Sequence, residues 1–155
     1  MRNKKMELRT PALGRGSSLP PCHTPRGEDY SPPLAWTRGP RGTACYALVM
    51  EAPDAPTGPR TQWVAWNVPG TELPEGLEAD SVLEDGTRQG VNSRGWAGYS
   101  GPVPEEDGSR FVIRVWALEQ PVQLPPTAGR EALLTAIARH ILASGALEGT
   151  LPRSA

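Results

Sequence analysis

The stretch "TACYALVME", residues 43–51, decides the fold. Read with a period of two, Ala44, Tyr46, Leu48 and Met50 face one way, and Cys45, Ala47 and Val49 face the other. Both faces are apolar. The segment therefore predicts a central strand covered on both sides, not a surface strand with one wet face. "QWVAWNV", 62–68, puts Gln62, Val64, Trp66 and Val68 on one face, with Trp63, Ala65 and Asn67 on the other. "RFVIRVWAL", 110–118, alternates Phe111, Ile113 and Val115 with Val112, Arg114 and Trp116. Shorter candidates are an edge strand in "MELRTPAL", 6–13, a strand at "LAW", 34–36, and a pairing segment in "RQGVNS", 88–93.

Between these runs lie most of the 18 Pro and 17 Gly of this 155-residue chain. The loop 14–33 and the turns across 69–110 exclude helix interiors. Short apolar strands between Pro/Gly turns, with five Trp among them, predict a mainly β domain. The period changes once. In 130–149, Leu133, Leu134, Ile137 and Ile141 recur at helical spacing. With Thr127 as N-cap and Gly145 as C-cap, this predicts one amphipathic C-terminal helix carrying His140. Residues 1–5 are expected as a tail, and 6–155 as a single domain.

The formal net charge of -1 gives no field toward nucleic acid or anionic lipid. No apolar run is long enough to span a bilayer. No hydrophobic segment follows the basic start, so the expected compartment is the cytoplasm, for an untrimmed N-terminus. Cys22 and Cys45 are expected as free thiols, Cys45 packing as a small hydrophobe. Cys22 and His23 are adjacent, but no second Cys/His pair stands at ligand spacing, so neither metal nor cofactor is expected.

Little in the chain carries chemistry. A triad needs a nucleophile, a base and an orienting acid. Of the two histidines, His23 lies in a Pro-rich loop and His140 reads as a packing or helix-end residue. No Ser stands in a nucleophile elbow, and "GWAGYSGPVP" lacks the lysine of a phosphate cradle. Glu105, Glu106 and Asp107 sit in a turn and read as solvated surface. Enzyme activity is not expected. What remains is a Pro-rich loop holding Asp54, a strand beginning at Gln62, and Ser109 with Phe111 on one face of another strand. If those strands are neighbours, Ser109 and Phe111 line one cavity with Gln62, and "GYSGP", 98–102, supplies a rigid wall.

Several ordered segments resemble the phosphatidylethanolamine-binding protein family, in its bacterial Raf-kinase-inhibitor-like branch. They are "GEDYSPPLAW", "GTACYALVMEAPDAPTG", "QWVAWNVPG", "GYSGPVPEEDGSRFVIRVWALE" and "RHILASGALEGTLPR". The resemblance implies an antiparallel β-sandwich with a C-terminal helix and a small anion pocket. The pocket's aspartate, strand histidine, second histidine and tyrosine fall on Ala52, Gln62, Ser109 and Phe111. Pro102 is retained, and so is the loop's second aspartate, Asp54. Loss of both imidazoles removes the groups able to become cationic beside an anion. Gln62 and Ser109 donate only as neutral dipoles.

Asp54 reads first as a turn residue bonding its own loop and second as a ligand contact. Gln62 and Ser109 either bind a neutral ligand or satisfy each other. Arg60 reads as solvated, Arg110 as paired with an acid of the sheet, and Trp63, Trp66 and Trp116 as core. The function implied is a non-enzymatic small-ligand-binding or regulatory protein, with weak affinity for a small polar or phosphoryl ligand. The alternative is a protein-interaction regulator, kinase- or protease-inhibitor-like, that does not use the pocket. Bacterial relatives of this type imply a homodimer.

Overall fold

The structure, a computed structural model, describes residues 4–13 and 18–151. The expected central strand is β4 (Cys45–Ala52), and all eight of its residues are buried. Antiparallel partners flank it, β5 (Arg60–Val68) on one side and β8 (Arg110–Leu118) on the other. β7 (Arg88–Gln89) extends the sheet beyond β5, and β9 (Ile141–Thr150) with β1 (Lys4–Lys5) extends it beyond β8. A second sheet holds β2 (Leu8–Arg9), β3 (Leu34–Trp36) and β6 (Glu72–Leu73), with β3 central.

The two faces of β4 go where alternation sends them. Tyr46, Leu48 and Met50 join Leu8, Leu34, Trp36 and Leu73 between the sheets. Cys45, Ala47 and Val49 pack on the other face with Val122, Leu133 and Ile137. Leu133 and Ile137 belong to α2 (Arg130–Ile137), which covers that second face. Its start is tied down by Glu51, a buried carboxylate of β4 that pairs with Arg130 and Arg114. Trp63 and Trp66 are core as expected, and Trp116 is half-buried against α2's cluster.

Several expectations are corrected. The amphipathic helix ends at Ile137, and its N-cap is Gly129, not Thr127. His140 lies in the connection, where its N–H donates to the Ile137 carbonyl. From Ile141 the chain is the strand β9, paired along the whole length of β8. Gly145 is therefore no helix cap. It lies where β1 runs on to Met6, and a Cβ there would sit 2.3 Å from the Met6 carbonyl oxygen. The competing pattern was present: Ala143, Gly145 and Gly149 are buried with the period of a strand. An uncovered β8 would leave a long row of unpaired backbone groups, and pairing β9 to it removes that cost. The expected tail is also shorter, since Lys4 and Lys5 pair in parallel with Ala143 and Ser144. Residues 1–3 of that tail, 14–17 of the expected loop and 152–155 of the expected domain lie outside the described residues. Among the described residues no helix is long and apolar enough to cross a membrane.

The second face of β5 breaks its alternation near the end. Tyr46 pairs with Val68 but Leu48 pairs with Ala65, so Trp66 and Asn67 together oppose Ala47. This bulge turns Val68 into the inter-sheet core, not onto the Val64–Trp66 face. Asn67 holds it with φ of 57°, a conformation asparagine tolerates better than most residues. Its amide donates to the Val122 carbonyl at 2.9 Å and accepts from the Val122 N–H at 2.8 Å. Asn67→Ala removes both bonds and strains the backbone, and is expected to cost about 2–3 kcal/mol. Asn67→Gly, which keeps the φ, is expected to cost less. Denaturant midpoints test this, and an alanine variant as stable as the parent refutes it.

Candidate functional site

A second bulge builds the site. Met50 pairs with Trp63 and Glu51 with Thr61, which leaves Gln62 between them without a cross-strand partner. A bulged residue is re-aimed relative to the strict alternation of the strand. Gln62 thus leaves the Val64 face and joins Arg60, whose cross-strand neighbour is Ala52. Both side chains converge on one acceptor. The Oδ1 of Asp107 accepts from Arg60 Nε at 2.9 Å and from Gln62 Nε2 at 3.2 Å. Its Oδ2 accepts from the Val103 N–H at 2.8 Å.

Asp107 reaches this position on α1 (Pro104–Asp107), a single turn between the Pro102 loop and β8. Proline at the first helical position needs no N–H donor, and Gly108 with φ of 86° returns the chain to the sheet. A Cβ at Gly108 would stand 2.9 Å from the Asp54 carbonyl oxygen, so the turn packs closely on the Asp54 loop. The three acids of this turn part company. Glu105 and Glu106 stay exposed and pair with Arg26 and Arg94, whereas Asp107 is 1% exposed. The expectation of a solvated acidic turn is thus corrected at Asp107. The expectation of a solvated Arg60 is corrected by the same ion pair.

The six residues predicted for the pocket separate into three pairs. Ala52 and Phe111 are fully buried, Phe111 within the inter-sheet core. Gln62 and Pro102 are buried beside the Asp107 carboxylate and the backbone that holds it. Asp54 and Ser109 lie at the surface, where they line an open groove of about 760 Å³ with Ser18, Pro104, Gly108, Thr150 and Leu151. β5 and β8 flank β4 and are not neighbours, so Gln62 and Ser109 stand on opposite sides of it. Gln62's amide is given to Asp107, not to Ser109. Asp54 does not follow the turn reading. Its carboxylate pairs with Arg110, which also reaches Glu148 of β9. These hydrogen bonds, Asp54's first, push the Arg110 pKa up. Arg110 is paired with acids, as read from the sequence.

The wall "GYSGP" is held from outside. Asp29, at φ of 58°, accepts the Gly101 N–H at 2.8 Å. A Cβ on Gly101 would come within 2.2 Å of the His23 carbonyl oxygen, so only glycine fits there. Tyr99 donates its hydroxyl to the same carbonyl at 2.6 Å and sets its ring edge-on to Trp63. Burial, with Asp29 and Cys22 adding to it, raises the Tyr99 pKa far above its usual value, so the phenol stays a donor.

The Cys22–His23 pair acquires a third member. Glu75 lies with its carboxylate 3.5 Å from His23 Nε2. The sulfur, imidazole and carboxylate ligand atoms all lie within 4.8 Å of one another. No spacing rule announced Glu75, which enters through the loop after β6. Asp107 had a weak signal, a proline and a glycine bracketing one helical turn at 104 and 108. The bulge at Gln62 had none.

Comparison with known proteins places this architecture. The sequence pattern of the family described as phosphatidylethanolamine-binding protein matches residues 9–152. A UPF0098 protein of Methanothermobacter thermautotrophicus is 37% identical, over 96% of this chain and 99% of its own length. A UPF0098 protein of Aquifex aeolicus is 33% identical, over 96% and 89%. Among solved structures, a phosphatidylethanolamine-binding protein homologue from Chlamydia trachomatis is similar with a TM-score of 0.84 and 29% identity, over 98% of this chain and 100% of that one. YbcL of E. coli shares the fold at a TM-score of 0.87 and 24% identity, over 97% and 99%.

Two predictions test this geometry. Asp107→Ala strands three donors at a buried position and is expected to cost about 2–4 kcal/mol. Glu106→Ala, one residue away but solvated, should cost under about 1 kcal/mol. Equal denaturant midpoints for the two variants would contradict the assignment. Asp29 supplies a pH test. Burial raises its pKa above the usual 3.8, while the Gly101 N–H and Arg94 partly offset this. A raised carboxylate pKa stabilises the folded state below the unfolded value, and that stability is lost as pH rises through the folded pKa. An asparagine side chain at this position keeps an acceptor and tolerates the positive φ. Asp29→Asn is therefore expected to gain on the parent protein as pH rises from about 3 to about 7. Parallel stability–pH curves would refute it.

Proposed function

The chain belongs to the phosphatidylethanolamine-binding protein family, and on that footing we propose that it is a non-enzymatic small-ligand-binding or regulatory protein whose anion seat is filled by its own Asp107. The observation that carries this reading is the convergence of Arg60, Gln62 and the Val103 N–H on one buried carboxylate. Carboxylate and phosphoryl oxygens ask for the same donors. An incoming phosphoryl group must either displace Asp107 or bind outside it, in the groove of Asp54 and Ser109. Displacement would strip a buried charge of its partners, so affinity is weak.

The replacements in the pocket fit this arrangement together. Position 52 is cross-strand from Arg60. An aspartate there would compete with Asp107 for the guanidinium and add a second carboxylate to a dry site. Alanine avoids both. Glutamine at 62 donates to Asp107 without needing to titrate. The histidines lie elsewhere: His23 Nδ1 is held by the Tyr30 carbonyl and His140 Nδ1 by Glu119.

The test is an NMR titration with phosphate and with phosphoethanolamine, read at the backbone amides of 52–63 and 100–112. The parent protein is expected to respond only at millimolar ligand. Asp107→Asn frees the Arg60 charge and is expected to bind at least about tenfold more tightly. Micromolar binding by the parent that Asp107→Asn leaves unchanged would overturn the self-filled seat. If the weak parent response arises in the groove, Ser109→Trp should abolish it. Phosphoester turnover lost on Asp54→Asn would overturn the non-enzymatic reading.

A further inference from the structure

We propose that Cys22, His23 and Glu75 form a binding site for a zinc-class divalent cation, with three protein ligands and a fourth position open to solvent. Among the described residues this is the one place where three side chains of metal-ligating type bring their ligand atoms within 4.8 Å of each other. A tetrahedral ion with bonds of about 2.0–2.3 Å needs ligand atoms roughly 3.5 Å apart. His23 Nε2 and Glu75 Oε1 are already at 3.5 Å.

His23 is set up as a ligand. Its Nδ1 lies 2.8 Å from the Tyr30 carbonyl oxygen. A carbonyl only accepts, so Nδ1 carries the hydrogen, and in the neutral ring Nε2 presents its lone pair on the Glu75 side. A ligating imidazole is commonly oriented by such a bond from its other nitrogen. The ring is 2% exposed and cannot swing away.

The backbone around the site is fixed before any ion arrives. Cys22 and His23 lie in the 3-10 turn Pro21–His23, stiffened by Pro20 and Pro21. The Tyr30 N–H donates to the Cys22 carbonyl at 2.9 Å, and the Tyr99 hydroxyl holds the His23 carbonyl. Glu75 comes in on a loop tied at Ser31. The Gly76 N–H donates to the Ser31 carbonyl at 3.0 Å and the Leu77 N–H to its hydroxyl at 2.9 Å. Gly76 turns that loop at φ of 74°.

Burial, then Glu75, then Glu28 push the Cys22 pKa up. A thiol so placed is a poor resting nucleophile. A divalent cation reverses the balance, because its charge is met by one thiolate and one carboxylate and the thiol proton is released on binding. The mixed sulfur, nitrogen and oxygen set suits zinc-class ions and not calcium or magnesium, which take oxygen. Glu75 is half exposed, so the fourth position faces water.

The test is a cobalt(II) titration of the reduced, metal-free full chain, followed by absorption. The expected result is one equivalent bound, with tetrahedral ligand-field bands and a thiolate-to-cobalt charge-transfer band, both removed by added zinc. Cys22→Ser should lose the charge-transfer band, and Cys45→Ala should keep it. Glu75→Gln, a change at an exposed residue, should weaken binding at least about tenfold. Circular dichroism checks that the variants fold. No charge-transfer band at excess cobalt, a band that survives Cys22→Ser, or unchanged affinity in Glu75→Gln would overturn the site.

Discussion

Everything in this fold depends on the double burial of β4. Eight consecutive residues are out of water, so each face must be covered by something else. One face recruits the small sheet of β2, β3 and β6, and the other recruits α2. Both flanks must also be paired, because buried backbone N–H and C=O groups need partners. β5 and β8 fill those flanks, and β9 then closes the outer side of β8. The helix that covers the second face is anchored by Glu51, a charged residue that lies on β4 itself.

The candidate site grows out of two departures from that regular sheet. Bulges make β5 carry more residues than β4 opposite it. The first re-aims Gln62, so that it shares a target with Arg60. The second turns Asn67 toward Val122 and ties it to that backbone. α1 then delivers a carboxylate to the donors that the first bulge gathered. Arg60 is partly buried, and its pair with Asp107 offsets the cost of that burial.

Much of this was legible in the chain. The faces of β4 and β8 followed from strict alternation, and the order of the Gly/Pro-bounded segments carried the family likeness. Positions 52, 62, 109 and 111 could be picked out from the motifs that carry the resemblance. Their neighbours could not. Gln62 and Ser109 were expected to share a cavity if their strands were neighbours, and β4 lies between those strands. Asp107 read as a surface acid because it lies in a turn with Glu105 and Glu106. The start of β9 read as helix because Ile141 happened to continue the spacing of Leu133 and Ile137.

The sequence by itself determined the three long central strands, which faces of β4 and β8 are apolar, and which side chains stand at positions 52, 62 and 109. These are local properties, written in a period of two and in single side chains. The tertiary structure alone decided the partner of each polar group: Asp107 for Arg60 and Gln62, Arg110 for Asp54, and Glu75 for His23. It also decided that residues after His140 form a strand, since an edge with unpaired backbone outweighs a weak helical pattern. The physical reason is common to both. Hydrogen bonds and ion pairs form between groups far apart in sequence, and no periodicity along the chain records which ones the sheet brings together.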